Sequence, residues 1–438
     1  MHVLTKTKNW KAAGVDSIHS FWFKKLSTIH SILATIITNL IKSKEILPEF
    51  ITKGITYMIP KSSTTEDPSH YRPITCLPTI YKIITSCITV KINNHISINN
   101  ILSEEQKGCR QNHRGCKEQL VIDSVILKHA TTHKRNLNLA YVDYRKAFDS
   151  VPHSWLIRIL QIYKINPVII NFLKNVMKTW KTYLYICNNQ TIIKTEQIAI
   201  ENGIFQGDSL SPLWFCLALN PLSNILNNSN AGYKLTPNTV ITHLMYVDDI
   251  KLFAKSEQDM KKLLNITASF SRDICMIFGL DKCRELYLKR GKLSSSRNIS
   301  GDGVRFNLMK DGDNYKYLGI QQAKGIAHTQ IKTELKQEYF QRVNRICKKQ
   351  LHSKNLIKAI NTYAIPVLTY SFGIIKWSQK DINRIEIKTR TILTKHSYLH
   401  PKSAIERMSF QRQIGGRGLI DLNSLWQGQI INLRTFIF

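Results

Sequence analysis

Two adjacent carboxylates, Asp248 and Asp249, stand inside an apolar stretch, with Met245-Tyr246-Val247 before them and Ile250 after. Residues 244–254 read as two short strands around a turn that holds the pair. Burying two neighbouring acids among apolar side chains is expensive unless something neutralises them. A divalent cation does so, and Mg2+ takes carboxylate and phosphate oxygens in octahedral geometry. Side chains alternate on an extended strand, so one acid is expected to face such a cation and the other to support it or lie outside. A third carboxylate, Asp143, closes the run Leu139-Ala140-Tyr141-Val142, which suggests a buried strand ending at an acid. An Asp-Asp at an exposed hairpin turn has the same local sequence, so the surroundings must decide between turn and metal site.

The first of those surroundings is charge. The 438 residues carry 62 Lys and Arg against 30 Asp and Glu, a formal net charge of +32. With 43% apolar residues the chain can bury a core, which excludes wholesale disorder. Such an excess on a folded chain points to a polyanion, nucleic acid first and an acidic membrane second. No apolar run approaches the roughly 18 to 20 residues of a spanning helix, and the first eleven residues lack the apolar core of a secretory signal. The nine cysteines are odd in number and scattered, which argues against a disulfide scaffold and for a reducing compartment. Cys109, His113 and Cys116 offer three soft ligands, but no fourth stands nearby, so a zinc site is disfavoured.

The basic excess is denser in residues 321–438, with 20 Lys and Arg against 6 Asp and Glu. A basic amphipathic helix is expected over 332–350: Leu335, Tyr339, Val343 and Ile346 recur at helical spacing, while Lys336, Arg342, Arg345, Lys348 and Lys349 are candidate contacts to a phosphate backbone. Apolar and aromatic residues over 363–377 are expected to pack on it. Upstream, residues 13–47 read as mainly helical, 52–60 as a strand, 61–70 as a loop, 154–177 as helical and 301–314 as a turn region. Ser211-Pro212 suggests a helix start with Ser as N-cap. Helical spacing returns through Met260, Leu263, Leu264, Phe270 and Ile274. A mixed helix and strand pattern to about residue 320, then a mostly helical part, is the coarse map.

Tyr246-Val247-Asp248-Asp249 resembles the polymerase motif of reverse transcriptases, and the resemblance extends in order along the chain. Asp143-Tyr144-Arg145-Lys146-Ala147-Phe148-Asp149 is similar to their first catalytic motif, and Gly203 through Pro212 to their template and nucleotide motif. Ile59-Pro60-Lys61 and Tyr71-Arg72-Pro73-Ile74 resemble the fingers segment. Gly279-Leu280-Asp281-Lys282-Cys283 and Tyr315-Lys316-Tyr317-Leu318-Gly319 resemble late palm motifs. The wording is most similar to non-LTR (LINE-type) retrotransposon enzymes of the site-specific class. Lys8-Asn9-Trp10-Lys11, Gly14-Val15-Asp16, Gly108-Cys109, Gly115-Cys116-Lys117 and Gly415-Gly416-Arg417-Gly418-Leu419 add to that, while Asn112 stands where Gly is expected.

The resemblance implies an α+β right-hand polymerase: fingers, a palm of antiparallel sheet with helices, and a mostly helical thumb. Its divisions would be a partial N-terminal segment 1–41, fingers and palm 42–320, and a thumb-like region 321–438, there truncated. It implies an RNA-directed DNA polymerase that adds deoxynucleotides to a primer on an RNA template by two-metal phosphoryl transfer. Asp143 and Asp248 would hold two Mg2+ ions, or Mn2+, with Asp249 nearby and the Tyr144 carbonyl as a further ligand. Arg72 and Lys61 would meet the dNTP triphosphate, Gln206 and Gly207 would shape the nucleotide and template pocket, and Phe148 would act as a gate against a ribose 2′-OH. Lys282 would protonate the leaving pyrophosphate. Lys336, Arg342, Arg345, Lys348 and Lys349 would grip template and DNA primer. The implied setting is nuclear, without a membrane. The sequence holds no Cys/His finger and no clear endonuclease motif, elements that usually accompany the family, so a fragment, a decayed copy or a shortened reading frame is expected. Two further activities share these motifs: a catalytically idle nucleic-acid-binding remnant, and an RNA-directed RNA polymerase on the same palm.

Overall fold

The run Leu137–Val142 forms a strand in which all six residues are buried, as expected of a strand covered on both faces. It is the middle strand of a sheet ordered Lys292–Ser294, Arg284–Lys289, Leu137–Val142, Asp249–Ala254, His243–Tyr246, antiparallel throughout. A short strand, Asn307–Leu308, adds parallel to Arg284–Lys289. Val142 pairs with Ile250, and this register puts Asp143 and Asp249 at the same end of neighbouring strands. The structure, a computed structural model, describes residues 2–43, 45–61, 67, 70–188, 191–294 and 305–437. It divides into two compact units, Met1–Gln119 with His129–Asp311, and Leu120–Lys128 with Gly312–Phe438.

In the first unit, helices Thr79–Ile98, His153–Ile162, Pro167–Met177, Ser211–Asn227 and Glu257–Asp273 supply much of one hydrophobic core. Helix Ser211–Asn227 is buried nearly throughout, and the Trp214 indole N–H donates to the Leu156 carbonyl at 2.8 Å. A second sheet runs Tyr71–Cys76, Lys53–Pro60, Lys181–Asn188, Thr191–Lys194. Three of its strands are tied inside by a row of hydroxyls, Thr75 to Thr56 at 2.9 Å and Thr56 to Thr182 at 2.8 Å. These bonds satisfy polar groups that burial would otherwise leave costly.

Some expected boundaries move, each for a local reason. Helix is absent over 10–19 and begins at Ser20–Lys25 and His30–Lys42. Gly14 packs so closely that a Cβ there would sit 2.3 Å from the Pro78 nitrogen, and Ser17 has φ +56°, neither of which suits a helix. The segment 154–177 is two helices, because the Asn166 side chain caps a new one with Pro167 in its first turn. Leu210, not Ser211, occupies the cap position of Ser211–Asn227, and its N–H donates to Asp208 Oδ2 at 3.4 Å. The first four residues of the expected 301–314 turn lie outside the described residues, as do seven of the loop 61–70, at 62–66 and 68–69.

The second unit holds the hairpin Tyr315–Tyr317 with Ile320–Gln322 and helices His328–Cys347, Ser353–Ala359, Ile365–Thr369, Gln379–Lys395 and Leu422–Ile437. The basic helix is His328–Cys347, burying Ile331, Tyr339, Val343 and Cys347, and Ile365–Thr369 packs on it. The class is mixed helix and sheet, as expected. Among the described residues no helix is long and apolar enough to cross a membrane.

Candidate active site

Tyr246 pairs with Asp249, so Val247 and Asp248 alone form the hairpin turn. Asp248 thus lies at the tip and Asp249 opens the returning strand. Val247 has φ +59°, an unusual conformation for a β-branched residue, costing about 1–3 kcal/mol. Asp143 follows the last residue of the neighbouring strand. Burial raises all three carboxyls above the ordinary range. Asp143 adds repulsion at Asp248, and at Asp249 both neighbours add theirs, pushing it up to about 7. Three carboxylates that repel one another at one sheet end are a donor set suited to Mg2+. As it stands, no group of three His, Cys, Asp or Glu among the described residues is arranged to hold an ion. The fit is therefore one of chemistry and proximity.

The backbone at Asp143 is seated by the segment 279–283. The Gly279 N–H donates to the Asp143 carbonyl at 2.8 Å, and a Cβ on Gly279 would lie 2.8 Å from Asp143 Oδ2. Cys283 is fully buried, and its sulfur lies 3.3 Å from the Asp143 nitrogen and 3.5 Å from its carbonyl. Lys282, which is exposed, reaches Asp143 Oδ2 at 3.4 Å. The Tyr144 side chain is buried and bonds Ser271 at 2.8 Å. Tyr144 bridges Phe278 through the flanking pairs Arg145–Ile277 and Gly279–Asp143, so that bridge does not use its carbonyl.

Cations gather at the same place. Arg72 and Lys61 come from one end of a strand pair, where Ile59 faces Arg72 and the Lys61 N–H donates to the His70 carbonyl at 2.7 Å. Partial burial lowers the Lys61 amine, and Lys282 and Arg72 lower it further, while Asp149 and Asp143 oppose them. Loop 203–210 is sewn to both neighbours. The Thr75 N–H donates to the Gln206 carbonyl at 2.7 Å, and a Cβ on Gly207 would fall 2.4 Å from the Thr75 carbonyl oxygen at φ +131°. The Ile204 N–H donates to the Phe148 carbonyl at 2.8 Å, and Gln206 Nε2 donates to Asp149 Oδ1 at 3.2 Å. Phe148 itself stacks on Phe215. Asp149 and Asp208 are carboxylates that the residue pattern did not single out. Asp208 accepts from Thr85 at 2.6 Å, and burial pushes it up to about 6.

Among the described residues, Cys109, His113 and Cys116 form no group arranged to hold a metal ion. His113 bonds Glu118 at 3.1 Å, Cys109 is beside Cys216, and Cys116 is beside the Tyr246 hydroxyl. In the second unit, Lys336 is drawn to Asp381 at 2.8 Å, and Arg342 to Glu338 at 2.7 Å. Arg345, Lys348 and Lys349 are exposed.

Residues 59–322 match the family described as "Reverse transcriptase (RNA-dependent DNA polymerase)". The Pol polyprotein of the type-2 retrotransposable element R2DM of Drosophila melanogaster is 25% identical over 333 residues, 75% of this chain and 30% of that protein. The RNA-directed DNA polymerase from mobile element jockey of Drosophila funebris is 22% identical over 414 residues, 90% of this chain and 43% of that protein. The chain thus spans less than half the length of either relative. Among solved structures, apo telomerase from Candida tropicalis aligns with a TM-score of 0.41 and 14% identity over 62% of this chain and 57% of that one. With the family match spanning more than half of its residues, the chain belongs to the reverse transcriptases and is similar to those of non-LTR retrotransposons.

Proposed function

We propose that the chain is an RNA-directed DNA polymerase that joins deoxynucleotides to a primer 3′-hydroxyl by in-line displacement at the α-phosphorus. The observation that carries this is the placement of Asp143, Asp248 and Asp249 at one end of adjacent strands, beside Lys61, Arg72 and Lys282. Asp143 and Asp248, with the Tyr144 carbonyl, would hold two divalent ions, Mg2+ or Mn2+, and Asp249 would support them. When bound, such ions stabilise charge on the attacking and leaving oxygens. The chain's own residues do the rest by positioning. Arg72 pairs phosphate oxygens through its planar fork and Lys61 adds a point charge. Gln206 and Gly207 border the nucleotide and template. The Phe148 ring meets the sugar. Lys282, already beside Asp143, delivers a proton to the pyrophosphate leaving group.

In this reading residues 42–320 supply fingers and palm, and 321–438 a thumb whose exposed Arg345, Lys348 and Lys349 bind template and primer phosphates, with a nuclear site of action. The test is primer extension on an RNA template with Mg2+, run beside Asp248→Ala. Incorporation by the unsubstituted chain and a loss of at least roughly 10²-fold in the variant are expected. Equal incorporation by both would sink the assignment of the acids. Incorporation by neither would favour an idle nucleic-acid-binding remnant.

A further inference from the structure

Val247 sits at the first central position of a two-residue turn with φ +59°. Glycine is the usual occupant where a tight hairpin needs a positive φ, because a branched Cβ crowds the backbone there. Something outside the turn has to hold valine in place. Gln106 is 1% exposed, and its carboxamide brackets that one residue. Its Oε1 accepts from the Val247 N–H at 2.9 Å, and its Nε2 donates to the Val247 carbonyl at 3.3 Å. Oε1 also accepts from the Gly108 N–H at 2.9 Å. A Cβ on Gly108 would lie 2.7 Å from Val247 Cγ2 and 2.8 Å from the Val247 nitrogen, so the bare glycine leaves room for the valine side chain.

The bracket is itself anchored. The Met245 N–H donates to the Glu105 carbonyl and the Lys107 N–H to the Met245 carbonyl, both at 3.0 Å. The buried Gln119 amide donates to the Glu105 carbonyl at 2.6 Å and to the Met245 carbonyl at 2.7 Å. Lys107, 7% exposed, is paired with Glu118 at 2.8 Å. Gln106 therefore cannot follow the turn if the turn relaxes. A glutamine that merely satisfied itself in the core would have no reason to take both backbone groups of the one strained residue beside the acid.

We infer that Gln106 is a positioning residue: it holds Val247 in the left-handed conformation and so fixes where Asp248 points. The catalytic half of this rests on the polymerase reading above. Gln106→Met removes all three bonds at similar volume, and Gln106→Glu retains the acceptor for the two N–H groups. Amide hydrogen exchange is followed in peptides spanning 246–250 and elsewhere, and primer extension is followed for kcat and for KM of the dNTP. Gln106→Met is expected to speed exchange locally by roughly tenfold or more. It is expected to lower kcat by on the order of 10²-fold with KM within about twofold, as misplacement of a reacting group does. Adding Val247→Gly, which adopts the turn without a clamp, should recover at least roughly tenfold of that loss. Gln106→Glu should keep the local protection. Unchanged exchange at 246–250, or faster exchange spread over all peptides with no recovery from Val247→Gly, overturns the inference and leaves Gln106 a packing residue. Should the unsubstituted chain not extend primers, the polymerase reading fails, and the local exchange pattern still decides whether Gln106 holds the turn.

Discussion

The Phe148 ring lies 4.7 Å from that of Phe215 at an interplanar angle of 9°, and Phe215 is fully buried in helix Ser211–Asn227. Its orientation is thus fixed by packing before any nucleotide arrives. If the ring faces the sugar, Phe148→Ala should raise ribonucleotide use relative to deoxynucleotide use by roughly 10- to 200-fold, the usual reach of a shape-based pocket. Competition between the two nucleotides measures this, and an unchanged ratio would remove the gate. Gly207 tests the neighbouring wall. An alanine there meets both the positive φ and the Thr75 carbonyl at 2.4 Å. Gly207→Ala should cost about 1–3 kcal/mol in urea unfolding and raise KM for the dNTP. Gly325→Ala, where a Cβ meets nothing within 4 Å, should stay within about 0.5 kcal/mol.

At the scale of elements, Lys332 and Lys336 on the basic helix His328–Cys347 differ in surroundings from Arg345 and from Lys348 and Lys349. The last two, which the expected 332–350 helix included, lie past the observed helix end. Lys332 and Lys336 both reach Asp381 at 2.8 Å, and Asp381 also caps helix Gln379–Lys395 with Ser378. Lys336→Ala should therefore act mainly on stability, by up to about 1 kcal/mol for a partly buried surface pair. Arg345→Ala, Lys348→Ala and Lys349→Ala should each leave unfolding unchanged and lower the salt slope of nucleic-acid binding by about 1. A binding titration at several salt concentrations separates the two; an equal slope change for Lys336→Ala would refute the division. Helix and strand identity was legible wherever apolar spacing and an acid or cap coincide within a few residues, as at Leu137–Val142 and Asp143. What escaped depends on distant partners: Asp208 meets Thr85 across 123 positions and Gln206 meets Asp149 across 57. The apolar period likewise runs on through 163–166, where the Asn166 cap and Pro167 start a second helix.

The whole molecule carries +32, so acidification adds to self-repulsion, and buried titratable groups decide the finer shape of its pH dependence. His243 is fully buried between Ser223 at 2.6 Å and Thr242 at 2.8 Å, and burial holds it down to about 3. The unfolded chain takes that proton near 6.5, so between the two values the unfolded state binds more protons. Stability is then lost as pH falls, at about 1.4 kcal/mol per unit. Asp208 has the opposite sign. Its folded carboxyl keeps a proton up to about 6 where the unfolded one releases it near 3.8. Stability from this group is lost as pH rises through that window, by up to about 3 kcal/mol. From about pH 4 to 6 the two nearly cancel, so the unsubstituted chain hides both. Single substitutions expose them. The deficit of His243→Gln against the unsubstituted chain should shrink from pH 6.5 downward, and that of Asp208→Asn should shrink from pH 4 upward. Urea midpoints across the range, taken without divalent metal, read both slopes. A pH-independent deficit in Asp208→Asn would mean that Asp208 is already ionised in the folded chain, with Thr85 and the Leu210 N–H enough to hold its charge.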